Sequence, residues 1–191
     1  MTVFKAIVFA LLASAVTVIC YMTDTVIMTL LFLSAVFIHE AGHIVAALIC
    51  KVPLSRFRVS SLGIRLTYDF SVVPHSYVII ICVMGSIASF SSAAIAIYLG
   101  LDASSAGVYF ILSSLTLGSL NLLPVKGLDG GVICESALAV FLPPDTAYRA
   151  AKNISVIFII LFWVLTVETV LDGGVNLSML ALSVYLLYSS L

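Results

Sequence analysis

The sequence predicts an all-α polytopic membrane protein of about six transmembrane helices, with a short cytoplasmic β-hairpin and a re-entrant segment. Three observations predict it. Hydrophobic residues make up 63% of the 191-residue chain and charged residues only 9%, with a mean hydropathy of +1.28; soluble domains carry about 45–50% and about 25%. Apolar stretches at 4–22, 25–50, 77–99, 104–123, 153–170 and 177–191 approach or exceed the roughly 20 residues that cross a bilayer as a helix. Finally, the cationic residues Lys5, Lys51, Arg56, Arg58, Arg65, Lys126, Arg149 and Lys152 all fall on one set of alternating connections, whereas the opposite ends hold Asp24, Asp102, Glu168 and Asp172.

By the positive-inside rule that asymmetry makes the N-terminus, the C-terminus and the connections after the second and fourth spans cytoplasmic. The expected location is a multi-pass position in a membrane, with a bacterial cytoplasmic membrane as the expected one. The lipid bilayer is an expected partner. Nucleic acid is not, because the net charge is −1 and no basic cluster occurs. Six crossings leave no room for a separate soluble domain, so 1–191 reads as one membrane domain.

Along the chain, 4–22 begins with Lys5 like a signal peptide. It is longer than a typical h-region and a second span follows at once, so it reads as a retained helix. Between 56 and 71 the pattern changes period: Ile64, Leu66, Tyr68 and Phe70 alternate with Arg65, Thr67 and Asp69, and Phe57 and Val59 alternate with Arg56, Arg58 and Ser60. A two-residue period with a turn near residues 61–63 predicts a β-hairpin. Two readings of it stay open: a connector on the membrane surface with its arginines toward anionic headgroups, or an exposed edge that pairs with an extended peptide.

The apolar stretch at 131–142 is too short to span and ends at Pro143-Pro144, so it is expected to be interfacial or re-entrant. Irregular backbone at membrane depth must line protein or a water-filled cavity, which is the expectation for 124–131. Cys20, Cys50, Cys82 and Cys134 stand singly without C-x-x-C spacing and read as small buried hydrophobes.

Chemistry enters in the second span, where His39-Glu40-Ala41-Gly42-His43 forms the H-E-x-x-H zinc pattern. Ionisable groups inside an apolar helix are costly, at roughly 2.5–3.5 kcal/mol on insertion scales, and so mark function. Residues four apart share a helix face, so His39 and His43 can converge on one metal ion while Glu40 lies on an adjoining part of the surface. Zinc there would activate a water and polarise a carbonyl, with Glu40 as the proton carrier. Gly42 leaves room for a neighbouring helix.

A catalytic zinc wants a third protein ligand. His75 beside Pro74 reads as an interfacial histidine, and Asp24, Asp102, Glu168 and Asp172 lie on the wrong side. Both histidines sit roughly 10–17 Å from the basic end of their helix, so the third ligand should come from the same half of another segment. Asp129 fits. It follows Asn121-Leu122-Leu123-Pro124-Val125-Lys126-Gly127-Leu128, where Pro124 breaks the fourth span, and precedes Gly130 and Gly131, which allow close backbone approach. The second Leu-Asp-Gly-Gly, at 171–174, lacks the preceding Asn-x-x-Pro and reads as turn chemistry on the opposite side.

Through His39, Glu40 and His43 in an Ile-His-Glu-Ala-Gly-His setting, and Asn121, Pro124, Leu128, Asp129, Gly130 and Gly131, the chain resembles the site-2 protease family of intramembrane zinc metalloproteases. The layout is most similar to its sporulation branch, which processes a membrane-associated sigma-factor precursor. The resemblance implies one Zn²⁺ per chain on His39, His43 and Asp129, with Glu40 as general base. It implies a membrane-associated or transmembrane protein substrate, and possible membrane regulatory proteins as partners. It makes about 25–142 the catalytic core, with peripheral helices at about 4–22, 153–170 and 177–191. Asn121 would hydrogen-bond substrate or the developing oxyanion, or else cap a broken helix end; Pro124 and Gly130 would shape the site. Lys126-Gly127 and Gly85-Ser86 depart from the family pattern. The expected function is intramembrane endopeptidase cleavage, with two rivals: a membrane zinc peptidase acting on released signal peptides, and an inactive scaffold that keeps the fold.

Overall fold

The computed structural model describes residues 26–52, 56–60, 63–67, 73–171 and 177–190. The expected first span at 4–22, the residues 61–62 at the expected turn and the second Asp-Gly-Gly at 172–174 lie outside the described residues. Within them the order is α1 (Val26–Ile49), β1 (Arg56–Ser60), β2 (Gly63–Thr67), α2 (His75–Tyr98), one 3-10 turn (Leu101–Ala103), α3 (Ser105–Asn121), α4 (Asp129–Ala139), α5 (Pro144–Leu171) and α6 (Leu177–Ser190). The two short strands pair antiparallel, Arg56 opposite Thr67 and Ser60 opposite Gly63. The other described elements are helical.

Local chemistry sets the helix ends. Pro74, with extended backbone, precedes α2, and its carbonyl accepts from the Tyr77 and Val78 N–H groups. The chain turns after α2 at Gly100, whose φ of +72° is a left-handed conformation that glycine adopts without a Cβ penalty. Ser104 then caps α3 by accepting from the Gly107 N–H at 3.1 Å. The helix that carries the expected fifth span, 153–170, begins nine residues before that apolar run. The helix starts at Pro144, since a proline in the first turn loses no hydrogen bond and its fixed φ suits the helix. Arg149 and Lys152 therefore sit on α5 rather than in a connection.

Among the described residues, three helices, α1, α2 and α5, are long and apolar enough to cross a membrane. At 17 and 11 residues, α3 and α4 measure about 25 Å and about 16 Å, short of the roughly 30 Å hydrocarbon core.

The packing inverts the soluble pattern. Most buried positions on these helices are small: Ala35, Gly42, Ala46 and Ala47 on α1; Gly85, Ser86, Ser89, Ala93 and Ala96 on α2, beside the larger Val78 and Ile81; Gly107, Ser114 and Gly118 on α3, beside Ile111. Large side chains such as Ile27, Leu30, Phe37, Ile95, Tyr98 and Ile157 are exposed. Lipid tails are as apolar as leucine, so helices in a bilayer associate through close backbone approach at small residues rather than by removing large ones from solvent.

α1, α2 and α3 pack mutually, α4 docks on α2, and α5 joins through α4, with α6 on α5. The connection between α3 and α4 is itself packed: Val125 and Leu128 form one cluster with Ile159 of α5 and Leu186 of α6, and the Lys126 N–H donates to Ser155 Oγ at 2.9 Å. The C-terminal helices thus brace the segment that leads into Asp129.

Gly42 is where α1 comes closest to α2. A Cβ there would press on the Met84 carbonyl, the Ala88 methyl and the Gly85 backbone. Gly42→Ala should therefore destabilise the protein by about 1–3 kcal/mol, seen as a lower midpoint in detergent-solubilised thermal unfolding; an unchanged midpoint would contradict this packing.

Candidate metal centre

The helical spacing puts His39 and His43 on one face of α1, and both side chains are buried. Their rings lie edge to face with centroids 4.8 Å apart and bring Nε2 to Nε2 at 3.2 Å. Asp129 arrives from a segment 90 residues away. Its Oδ2 lies 3.1 Å from His39 Nε2 and 3.1 Å from His43 Nε2. As the first residue of α4, Asp129 also sits at a helix N-terminus, where the dipole favours a carboxylate.

A metal fits this triangle. Tetrahedral zinc with bonds of about 2.0–2.1 Å spaces its ligand atoms about 3.3 Å apart, close to the 3.1–3.2 Å edges observed. Proton accounting supports it. His43 Nδ1 lies 2.8 Å from the Ile81 carbonyl, which only accepts, so the neutral ring carries its proton on Nδ1 and turns a lone pair on Nε2 toward the Asp129 carboxylate. Two acceptors 3.1 Å apart call for a positive charge between them, which a metal ion or a proton supplies.

The outer nitrogens are held as well. His39 Nδ1 pairs with Ser89 Oγ at 3.0 Å. Such partners fix ring orientation and tautomer in metal sites. Glu40, one residue on from His39 and half-buried, interacts electrostatically with His43, His39 and Asp129.

Glycines supply the clearances. A Cβ on Gly85 would run into the His43 imidazole, and one on Gly130 would meet the Leu122 and Leu123 carbonyls. Gly130 therefore lets α4 start against the end of α3. Pro124 lies in the same turn, whose backbone bonds run from Val125 N–H to Leu123 O and from Leu128 N–H to Val125 O. Asn121 donates its side-chain amide to Leu117 O at 3.1 Å, within its own helix.

His39, His43 and Asp129, named from sequence, are thus brought together as a group able to hold a metal. Sequence reasoning missed Ser89, the Ile81 carbonyl and Gly85, all on α2. The available signal is the small-residue run Gly85-Ser86-x-x-Ser89, which in an apolar helix marks a close helix contact.

No protein-family profile and no curated protein matches the chain. Among solved structures, a site-2 protease from Methanocaldococcus jannaschii superposes with a TM-score of 0.72 at 19% sequence identity, covering 98% of this chain and 86% of that one. The chain has the fold of a site-2 protease.

Gly85→Ala should drive a methyl into the His43 ring and weaken metal retention by about tenfold or more, measured by chelator competition on purified protein. Gly100→Ala, at an open position, should leave retention unchanged. Equal retention by Gly85→Ala and the parent would contradict the contact.

Proposed function

We propose that this chain is an intramembrane zinc metalloendopeptidase, hydrolysing a peptide bond in or beside a transmembrane segment of another protein. The convergence of His39 Nε2, His43 Nε2 and Asp129 Oδ2 at 3.1–3.2 Å, with Glu40 beside them, carries the reading. The shared fold of a site-2 protease supports it. Two histidines and one carboxylate are three protein ligands, the number that leaves a catalytic zinc an open position.

When bound, zinc would acidify a water and polarise the scissile carbonyl. Glu40 accepts the proton of the attacking water and returns it to the leaving amide nitrogen as the C–N bond breaks. His39 and His43 are pinned through Nδ1 and so keep Nε2 toward the reacting groups. A helical substrate hides its carbonyls in backbone hydrogen bonds, so local unwinding precedes attack and helix breakers near the cut favour it. The strand pair Arg56–Ser60 and Gly63–Thr67 offers an edge on which an extended segment can pair.

The charge asymmetry supports cytoplasmic termini, the apolar stretches support about six crossings, the 11-residue length of α4 supports a re-entrant position, and the bacterial cytoplasmic membrane is part of the same proposal. Processing of a membrane-associated sigma-factor precursor is one function consistent with that arrangement, with membrane regulatory proteins timing the cut. In this reading Asn121 serves substrate positioning once its amide leaves Leu117 O. An inactive scaffold would have no use for Glu40, a half-buried carboxylate in an apolar helix.

Purified parent protein should carry one zinc. Glu40→Gln should keep it while lowering cleavage of a co-expressed membrane-tethered substrate by about 10²-fold or more, and Asp129→Ala should lose the metal. The substrate is the tethered protein that accumulates uncut in membranes of the Glu40→Gln strain. Equal cleavage by Glu40→Gln and the parent would overturn the assignment of the base.

A further inference from the structure

We propose that Ser89 is a positioning residue for the metal centre: its hydroxyl accepts the His39 Nδ1 proton and thereby commits the His39 Nε2 lone pair to zinc. The inference rests on the reading of His39, His43 and Asp129 as the zinc site and adds to it a residue from a helix that supplies no ligand. The observation is a 3.0 Å contact between two buried groups 50 residues apart in sequence. Ser89 is 0% exposed, so water cannot replace it.

The two histidines are held by unlike partners. The Ile81 backbone carbonyl at His43 cannot be removed by substitution and leaves only one tautomer in the neutral ring. His39 has a side-chain hydroxyl instead, which can accept or donate. When Ser89 accepts, Nε2 is free to bind metal. Without the hydroxyl, the metal-binding tautomer leaves a buried N–H unpaired, whereas the opposite tautomer directs an Nε2 proton at Asp129 Oδ2, 3.1 Å away, and blocks the site. Removing the hydroxyl therefore acts directly against metal binding.

Packing keeps Ser89 in place. A side chain at Gly118 of α3 would press on Ser89 and Phe90, so the glycine lets α3 close over the serine. One turn away, Ser86 provides an internal control. It is 1% exposed and donates to the Gly118 carbonyl at 2.9 Å, a buried hydrogen bond on the same helix that has no histidine in it.

Full-length parent, Ser89→Ala, Ser89→Cys and Ser86→Ala proteins, purified in detergent, test the assignment through zinc affinity against a chromophoric chelator. Thermal unfolding of the metal-free forms and the visible spectrum of the cobalt-loaded forms accompany it. Ser89→Ala should bind zinc about 10- to 100-fold more weakly and alter the cobalt spectrum. Ser89→Cys, near-isosteric but a weaker acceptor, should fall between it and the parent, and it supplies the reading if Ser89→Ala does not fold. Ser86→Ala should lose comparable thermal stability and keep parental zinc affinity. Parental affinity in both Ser89 variants, or an equal loss in Ser86→Ala, would overturn the role of Ser89 while leaving the zinc site standing. A parent that binds no zinc would overturn both.

Discussion

Three electron-rich atoms held 3.1–3.2 Å apart inside an apolar helical bundle are the constraint on which the rest of this protein depends. Left without a positive charge among them, the two imidazole nitrogens and the carboxylate would crowd one another where water, reaching only the partly exposed Asp129, screens them little. The fold nevertheless brings them together from segments 90 residues apart in sequence. α1 contributes two atoms through the four-residue period of a helix. The third arrives only because the chain breaks at Pro124, turns through Gly127 with φ of +101° and restarts as α4 at Asp129. That turn is anchored by Val125 and Leu128 against α5 and α6, so helices far from the chemistry help to set the carboxylate.

The same constraint explains the distribution of small residues. Helices in lipid gain little by burying large side chains, which are as well solvated by acyl chains, and much by bringing backbones together. Gly42 and Gly85 meet where α1 crosses α2, which is also where the His43 ring lies. Close approach is therefore both the adhesive of the bundle and the means by which α2 reaches the outer nitrogens of both histidines, through the Ile81 carbonyl and the Ser89 hydroxyl. A helix that donates no ligand determines how the ligands point.

Much of this was legible in the sequence, and the exceptions follow a physical pattern. His39, Glu40 and His43 declare themselves because their relation is local, fixed by 3.6 residues per turn. Asp129 is distant in sequence yet readable, because charge asymmetry assigns it to the same half of the bundle as the histidines and because a helix breaker and two glycines surround it. α1 and α2 follow their apolar runs to within two residues. The apolar run at 153–170 lies inside α5, but the polar first turns of that helix from Pro144 carry no apolar signal and so were not legible as part of it. Ser89, Gly85 and the Ile81 carbonyl were not legible as site groups: a serine or glycine in an apolar helix reads as packing, and a backbone carbonyl has no sequence signature.

In the proposed reading the arrangement unites a proton carrier, Glu40, with a triangle able to hold a metal, the parts that peptide hydrolysis within a membrane needs. Its central claim is that one cation is gripped by two imidazoles and the Asp129 carboxylate. X-ray absorption at the zinc edge of the purified, active protein tests that most directly. The account predicts a shell of nitrogen and oxygen at about 2.0–2.1 Å with the outer scattering of two imidazoles. A sulfur shell at about 2.3 Å, or a first shell without imidazole scattering, would contradict it.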